Sequence, residues 1–422
     1  MAHNESSRRV FRIRSLDVFW LSAILGAIFL CCGVAARVAW PGKAVARTKT
    51  GIDVLEDENF ASLQGKRVGL ITNQTGVDSH GHRTIDVLEH AGGVKLVAIF
   101  SPEHGIAANA DDSVVANATE ASTGLPIYSL YGETRRPTDA MLKGIDVLVF
   151  DIQDAGVRFY TYVTTMVYCM EAAAKNKIPF FVMDRPNPLG GEIIEGPVLD
   201  SDKLSFVGYF PMPVRYAMTL GELARMFNAE NKIGADLHVV DMKNWHRGDM
   251  YWMTGLSWIP PSPNLPTVAN IVPYPGIEIL QAGGVSVGRG TDSAFLEFGA
   301  PWIRSNDLLV ELKKRSISGV SFSATSFTPK SGPYAGQECQ GVALTVMDRD
   351  NFKSMFMGLE IAEALRRLYP REFQIAKMIT LLGSQATVEG LERGDSPKDI
   401  EAGWAAELEK FRAMRAKYLI YH

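Results

Sequence analysis

Between residues 65 and about 245, short apolar runs rich in Val, Ile and Phe alternate with segments of helical periodicity. That alternation is the signature of a parallel sheet whose two faces are covered by helices, because a strand buried on both sides cannot alternate polar with apolar residues. The runs predict strands over Arg67–Asn73, Lys95–Ser101, Asp146–Gln153, Pro179–Asp184 and Leu237–Asp241. Between them, Thr161–Asn176 carries Val163, Met166, Val167, Met170 and Ala174 at the spacing of a buried helical stripe, and Thr219–Asn231 opens with a Thr-x-x-Glu capping box. The pattern reads as a doubly wound α/β domain. A Pro-rich stretch, Trp258 to Pro266, lacks the amide donors for regular structure and marks a domain junction. Beyond it, strand-like segments at Val320–Phe327 and Gly341–Met347 and helices at Phe352–Leu368 and Ile400–Tyr418 predict a second, smaller α+β domain.

The first forty residues are a separate object. Arg8, Arg9, Arg12 and Arg14 precede an uncharged apolar run from Val18 to Ala36, long enough to cross a hydrocarbon core as a helix. The expectation is a membrane-targeting helix, an uncleaved signal-anchor in preference to a cleaved signal peptide, that places the rest of the chain outside the cytoplasm. The exported body is mildly acidic, and the whole chain has a net charge of −4. With no basic excess to meet a phosphate backbone, nucleic acid is not an expected partner. Only Cys169 and Cys339 lie in the body, which is no disulfide framework and reads as two buried thiols.

In open parallel sheets ligands bind beyond the carboxyl ends of the strands. Four of the runs end in Thr72-Asn73-Gln74-Thr75-Gly76, Ser101-Pro102-Glu103-His104-Gly105, Asp151-Ile152-Gln153-Asp154 and Asp184-Arg185-Pro186-Asn187-Pro188. Turn chemistry alone accounts for one such end; four on one edge point to a site for a polar ligand. No G-x-G-x-x-G or G-x-x-x-x-G-K-[ST] is present, so neither a dinucleotide nor a nucleoside triphosphate is implied. His80, His82 and His104 lack the spacing that aims two ligands at one ion, and no metal is expected. Gly284-Val-Ser-Val-Gly288 matches a nucleophile elbow, but the only histidine after it is His422, so the match is read as chance. Carboxylate chemistry on a hydroxyl-rich ligand remains. Glycoside hydrolysis needs a carboxylic acid to protonate the leaving oxygen and a second group at the anomeric carbon. Glu103 is the best-placed acid, in a tight loop with His104 beside it to orient it. A Glu at that place serves equally well as a helix cap or as the partner of a buried Arg.

These loops carry a resemblance. The series Ser101-Pro-Glu-His-Gly105, Thr123-Gly-Leu-Pro126, Ser129-Leu-Tyr-Gly132, Asp151-Ile-Gln-Asp154, Arg158-Phe-Tyr-Thr-Tyr162, Asp184-Arg-Pro-Asn-Pro188, Glu195-Gly-Pro197, Pro261-Ser-Pro-Asn264 and Gly288-Arg-Gly-Thr291 resembles the exo-β-N-acetylmuramidase (NamZ) family of glycosidases. The likeness runs from about Gly51 to Tyr421. It implies a Rossmann-like catalytic domain over 51–266 and a smaller α+β domain over 267–422 that completes the cleft, following the targeting segment read over 1–40 from its own residues. It further implies release of N-acetylmuramic acid (MurNAc) from the non-reducing ends of peptidoglycan fragments, with no cofactor. Carried over by motif, Glu103 is the catalytic acid, and Glu195, or alternatively Asp151, is the second carboxylate. His104, Asn73, Gln153, Asp154, Asp184 and Asn187 are expected to bind sugar or position the acid. MurNAc carries a lactyl carboxylate, so Arg158, Arg185 and Arg289 are candidates to grip it. The chain departs from the family at Ala107-Ala108, where Arg-Gly is frequent. It departs again at Arg215-Tyr-Ala-Met-Thr219, where a His-Gly motif is frequent, and at Gln281-Ala-Gly-Gly284, where Glu-Gly-Thr-Asn is frequent. These departures leave open a glycosidase for another sugar, or a non-catalytic cell-wall binding protein on the same fold.

Overall fold

The computed structural model describes residues 47–107 and 115–422. The apolar run 18–36 lies outside them, and no helix among the described residues is long and apolar enough to cross a membrane.

In chain order the first nine strands are β1 (Arg67–Thr72), β2 (Lys95–Ser101), β3 (Ala118–Thr119), β4 (Pro126–Ser129), β5 (Val147–Asp151), β6 (Phe180–Met183), β7 (Glu195–Val198), β8 (Pro213–Arg215) and β9 (Leu237–Val240). Seven of them form one sheet in the order β3-β4-β2-β1-β5-β6-β9, parallel except for β3, while β7 and β8 pair apart as an antiparallel ribbon. The helices of this part are α1 (Gly51–Asp57), α2 (Thr84–His90), α3 (Tyr162–Asn176) and α4 (Leu220–Glu230). Alternate strand residues enter opposite layers. Val68, Leu70, Val147, Val149, Phe181 and Met183 cluster with Ile52 and Leu55 of α1 and Ile85 and Leu88 of α2. Their neighbours Ile71, Leu148, Phe150, Phe180 and Val182 join α3 and α4 on the other face. The capping box at Thr219 forms: Glu222 N donates to Thr219 Oγ1 at 3.2 Å and Thr219 N donates to Glu222 Oε2 at 3.0 Å, a pairing worth about 1 kcal/mol.

After residue 266 come α5 (Val268–Ile271), α6 (Tyr274–Ala282), β10 (Glu297–Ala300), α7 (Ser305–Lys313), β11 (Val320–Phe327), β12 (Cys339–Val346) and α8 (Ser354–Leu368). The chain closes with α9 (Ile379–Leu382), α10 (Gln385–Arg393), α11 (Pro397–Gly403) and α12 (Ala405–Arg415). The three strands form an antiparallel sheet in the order β10-β12-β11. The single helix expected over Ile400–Tyr418 is two helices broken at Trp404, whose buried indole N–H donates to Thr387 Oγ1 at 2.9 Å and pins the break. Helix α6, which the Pro-rich context concealed, lies against α8 by backbone approach: a Cβ on Gly276 would sit 1.9 Å from Ser354 O, and one on Gly358 2.4 Å from Gly276 O. One apolar cluster runs from Ile71 to Phe411, so both parts of the chain share a core. Cys169 and Cys339 are both buried free thiols.

Arg158, expected at the ligand, is instead buried at 1% exposure and donates to four backbone carbonyls. Nη1 reaches Pro197 O at 3.0 Å and Met212 O at 2.8 Å, and Nη2 reaches Leu381 O and Leu382 O at 2.7 Å each. Burial lowers its pKa to about 9. It staples the β7–β8 ribbon to the C-terminal helices. Arg158→Met takes the guanidinium donors from all four carbonyls, of which Met212 O keeps the Leu199 amide at 3.1 Å, and is expected to lower stability by about 3 kcal/mol or more in urea unfolding monitored by circular dichroism.

Candidate active site

The chain runs from β1 to β2 and β4 on one side and returns to β5, β6 and β9 on the other, so the sheet's topological switch lies between β1 and β5. Polar side chains tie the two strand ends together. Thr72 Oγ1 donates to Asp151 O at 2.8 Å, and Gln153 N donates to Thr75 Oγ1 at 2.9 Å. Gly76 is required here, because a Cβ would lie 2.1 Å from Thr72 Oγ1 and 2.8 Å from Asp151 O. Asn73 holds the turn through its Oδ1, which accepts from Thr75 N at 2.9 Å, and its Nδ2 donates to the Tyr162 hydroxyl at 2.9 Å. Tyr162 in turn donates to Pro261 O at 2.6 Å, and Gln74 Nε2 to Pro260 O at 2.6 Å. The Pro-rich stretch is thereby drawn over the strand ends.

Beside this network lies a cavity of about 410 Å³. Glu103 and His104 enter it from the loop after β2, Phe159, Tyr160 and Thr161 from the turn that begins α3, and Tyr274 and Glu278 from α6. The Glu103 loop is sharply wound: His104 has φ +70° and Gly105 φ +75°, and Gly105 N donates to Pro102 O at 3.1 Å. A non-glycine residue in the left-handed region beside a reactive group is strain concentrated at a functional site. Glu103 is half-buried, and its Oε2 accepts a short hydrogen bond from Thr161 Oγ1, which fixes the rotamer and leaves Oε1 for another partner. At the mouth, Arg135 stacks over Phe206 at 4.2 Å and over Tyr131 at 5.5 Å. Arg289, also lining the cavity, pairs with Glu278 at 2.5 Å, is aligned by Gln281, which accepts from its Nε at 2.8 Å, and lies 5.2 Å from the Phe295 ring centroid.

Of the residues expected at the ligand, Glu103, His104 and Arg289 line this cavity. The structure places the others in the scaffold. Asp151 is buried, receives both Arg185 Nε at 2.6 Å and Arg185 Nη2 at 2.9 Å, and accepts a further hydrogen bond from Thr84. Arg185 is therefore neutralised, although it borders a separate cavity of about 320 Å³. Glu195 is buried against Arg215 at 3.3 Å, away from the Glu103 cavity, with burial raising its pKa. Asp184 Oδ1 accepts from Gly221 N at 2.8 Å and its Oδ2 from Thr219 Oγ1 at 2.7 Å and Tyr421 at 2.6 Å. Gln153 donates to Pro186 O at 2.8 Å, and Asn187 donates to Met218 O at 2.8 Å. Asp154 accepts from Gly156 N at 2.7 Å and from the Tyr216 hydroxyl. These groups order the strand-end loops, and Arg158, Glu195 and Asp151 are corrected from ligand-facing to structural positions because each already has buried partners. Sequence reasoning missed Arg135, Phe206, Tyr274 and Glu278, and Tyr131 was inside the quoted Ser129-Leu-Tyr-Gly132 motif without being singled out. Tyr160 and Thr161 were inside a quoted motif without being singled out, and Tyr274 and Glu278 are an i, i+4 pair on the concealed helix α6.

The fold recurs in known proteins. Residues 68–269 match the model described as "Exo-beta-N-acetylmuramidase NamZ, N-terminal", and residues 272–421 match its C-terminal counterpart. The chain belongs to the NamZ family. Within it, the chain is 44% identical over 379 residues to the peptidoglycan β-N-acetylmuramidase NamZ of Bacillus subtilis strain 168, covering 89% of this chain and 92% of that protein. Two crystal structures of DUF1343 family proteins from Bacteroides fragilis NCTC 9343 superpose on it. One has a TM-score of 0.82 at 40% identity and the other 0.72 at 32%, each covering 89% of this chain and 99% of the other. The boundary between the two NamZ models falls in α5, just after the Pro-rich stretch.

Asp154 supplies a test of how the strand ends are held. Burial pushes its pKa up to about 6, and the Tyr216 hydroxyl and the Gly156 amide pull against that. A buried carboxyl with a raised pKa contributes stability that is complete below the unfolded value near 4 and is lost as pH rises through about 6. Tyr216→Phe removes a donor that favours the ionised form. It is therefore expected to cost about 1 to 3 kcal/mol at pH 8 and distinctly less at pH 4, as read from thermal unfolding at the two pH values.

Proposed function

We propose that this chain is an exo-acting glycoside hydrolase that removes non-reducing terminal β-linked MurNAc from peptidoglycan fragments. The observation that carries the reading is Glu103: a carboxyl held by Thr161 on a strained strand-end loop, facing a sugar-sized cavity with aromatic walls. Family membership and the 44% identity to the Bacillus subtilis peptidoglycan β-N-acetylmuramidase support the substrate class. In this reading Glu103 gives a proton to the glycosidic oxygen as the bond to the anomeric carbon breaks. The aromatic rings Tyr160, Tyr274 and Phe206 present apolar faces to the sugar, and His104 borders the acid. Arg135, exposed and held by ring stacking, supplies the cation for the lactyl carboxylate, while Arg289 is already paired with Glu278. The arginine-flanked apolar run at 18–36 supports action outside the cytoplasm, with the catalytic body tethered to the membrane.

Glu103→Gln is expected to reduce release of MurNAc from a β-linked chromogenic MurNAc glycoside by about 10² to 10⁴-fold. Binding of MurNAc, measured by calorimetry, stays within about 3-fold. A folded wild-type chain that binds muropeptides but releases nothing would instead identify a binding protein. For the lactyl contact, Arg135→Ala is expected to weaken inhibition by free MurNAc about 10-fold and to leave inhibition by N-acetylglucosamine, which lacks the lactyl group, unchanged. Equal loss for both sugars places the carboxylate elsewhere.

A further inference from the structure

We propose that Glu278 is the second carboxylate of this cavity and takes the proton of the water that attacks the anomeric carbon. The inference rests on the glycosidase reading of Glu103 and assigns the other half of the chemistry.

Among the described residues, the carboxylates that line the cavity are Glu103 and Glu278. The two carboxylates indicated by the motifs, Asp151 and Glu195, each face a buried guanidinium instead. Glu278 is 6% exposed, and a carboxylate so buried persists as an anion only against a cation. Arg289 supplies that cation at 2.5 Å, and Gln281, one turn along α6, accepts from the same guanidinium and keeps it in line. Position 281 holds an amide that orients the cation, while the charge sits one helical turn earlier at 278.

Glu278 and Glu103 act on common ground. Tyr274, four residues before Glu278 on α6, is buried, and its phenol is driven well above the usual range first by burial and then by the nearby charges of Glu278 and Glu103, with Arg289 opposing. Both carboxylates line the same cavity as Tyr274. Helix α6 is not free to move them: the contact of Gly276 with Ser354 and of Gly358 with Gly276 seats it on α8. Gly276 N also donates to Ser354 Oγ at 2.9 Å. The acid belongs to the first half of the chain, and Glu278 reaches the same cavity from the second.

The step starts with Glu103 as the carboxylic acid and Glu278 as the carboxylate. The C1–O bond breaks with its electron pair going to the glycosidic oxygen, which takes the Glu103 proton. Water forms the new C1–O bond and gives a proton to Glu278. Glu103 then stands ionised and Glu278 protonated, and one proton exchanged through solvent restores both.

The test uses the full chain, the chromogenic MurNAc glycoside, and Glu278→Gln, Glu278→Asp and Glu278→Ala alongside Glu103→Gln. Glu278→Gln is expected to lower kcat by about 10² to 10⁴-fold with KM within about 3-fold, and to abolish the acidic limb of the kcat/KM profile. Glu103→Gln abolishes the alkaline limb. Glu278→Asp keeps a charge for Arg289 and recovers part of the rate, and added formate restores turnover to Glu278→Ala, a rescue that a purely structural glutamate does not give. Wild-type activity lost in Glu103→Gln, together with a Glu278→Gln variant that keeps more than a tenth of kcat and both pH limbs, overturns the proposal. Failure of Glu278→Gln to fold, combined with no formate rescue of a folded Glu278→Ala, overturns it also. A folded wild-type chain that releases no MurNAc overturns the glycosidase reading itself.

Discussion

The cavity depends on a guanidinium that never reaches it. Arg158 gathers carbonyls from three stretches of chain around residues 197, 212 and 382, and the residues directly after it, Phe159, Tyr160 and Thr161, are the cavity wall. A planar fork with five donors can serve four acceptors, which a lysine cannot do with the same geometry. The fixed position of Arg158 sets where α3 begins, hence where Thr161 meets Glu103 and where Tyr162 meets Asn73 and Pro261. Substrate-facing groups are thus held by hydrogen bonds that saturate backbone carbonyls, and the cationic charge is consumed in doing so.

The same economy explains why the strand ends looked richer in ligand-binding groups than they are. A parallel sheet buried on both faces has nowhere to place polar residues except at its rim, and the rim must also satisfy the loops that cross it. Asp151, Asp154, Asp184 and Asn187 serve those loops.

The strands and the capping box were legible because each is encoded locally: an apolar run of fixed length, or a Thr-x-x-Glu pair. Glu103 was legible because a strand end and a Pro-Glu-His-Gly turn are local too. Arg158, Arg185 and Glu195 were not, since whether a charged side chain meets a ligand or a buried partner depends on residues tens to hundreds of positions away, such as Leu381 for Arg158. Glu278 was hidden for a different reason. Its helix begins amid Pro273 and Pro275, beyond the Pro-rich stretch, where no helix was read, although proline at the start of a helix costs nothing because the first amide has no partner there. The break at Trp404 shows the converse: the periodicity continues, and one tertiary hydrogen bond ends the helix.

Tyr421 donates to Asp184 across a sequence separation of 237 residues, and its hydroxyl also receives the Met242 amide at 2.9 Å. The rim of the first sheet is thus closed by a residue that the family models assign to the other half of the protein. As the chain emerges during synthesis, the N-terminal half can assemble its strands early, but Asp184 keeps an open valence until the far segment arrives. The two halves inherit a shared timetable, and an insertion between them delays the completion of the first as much as that of the second.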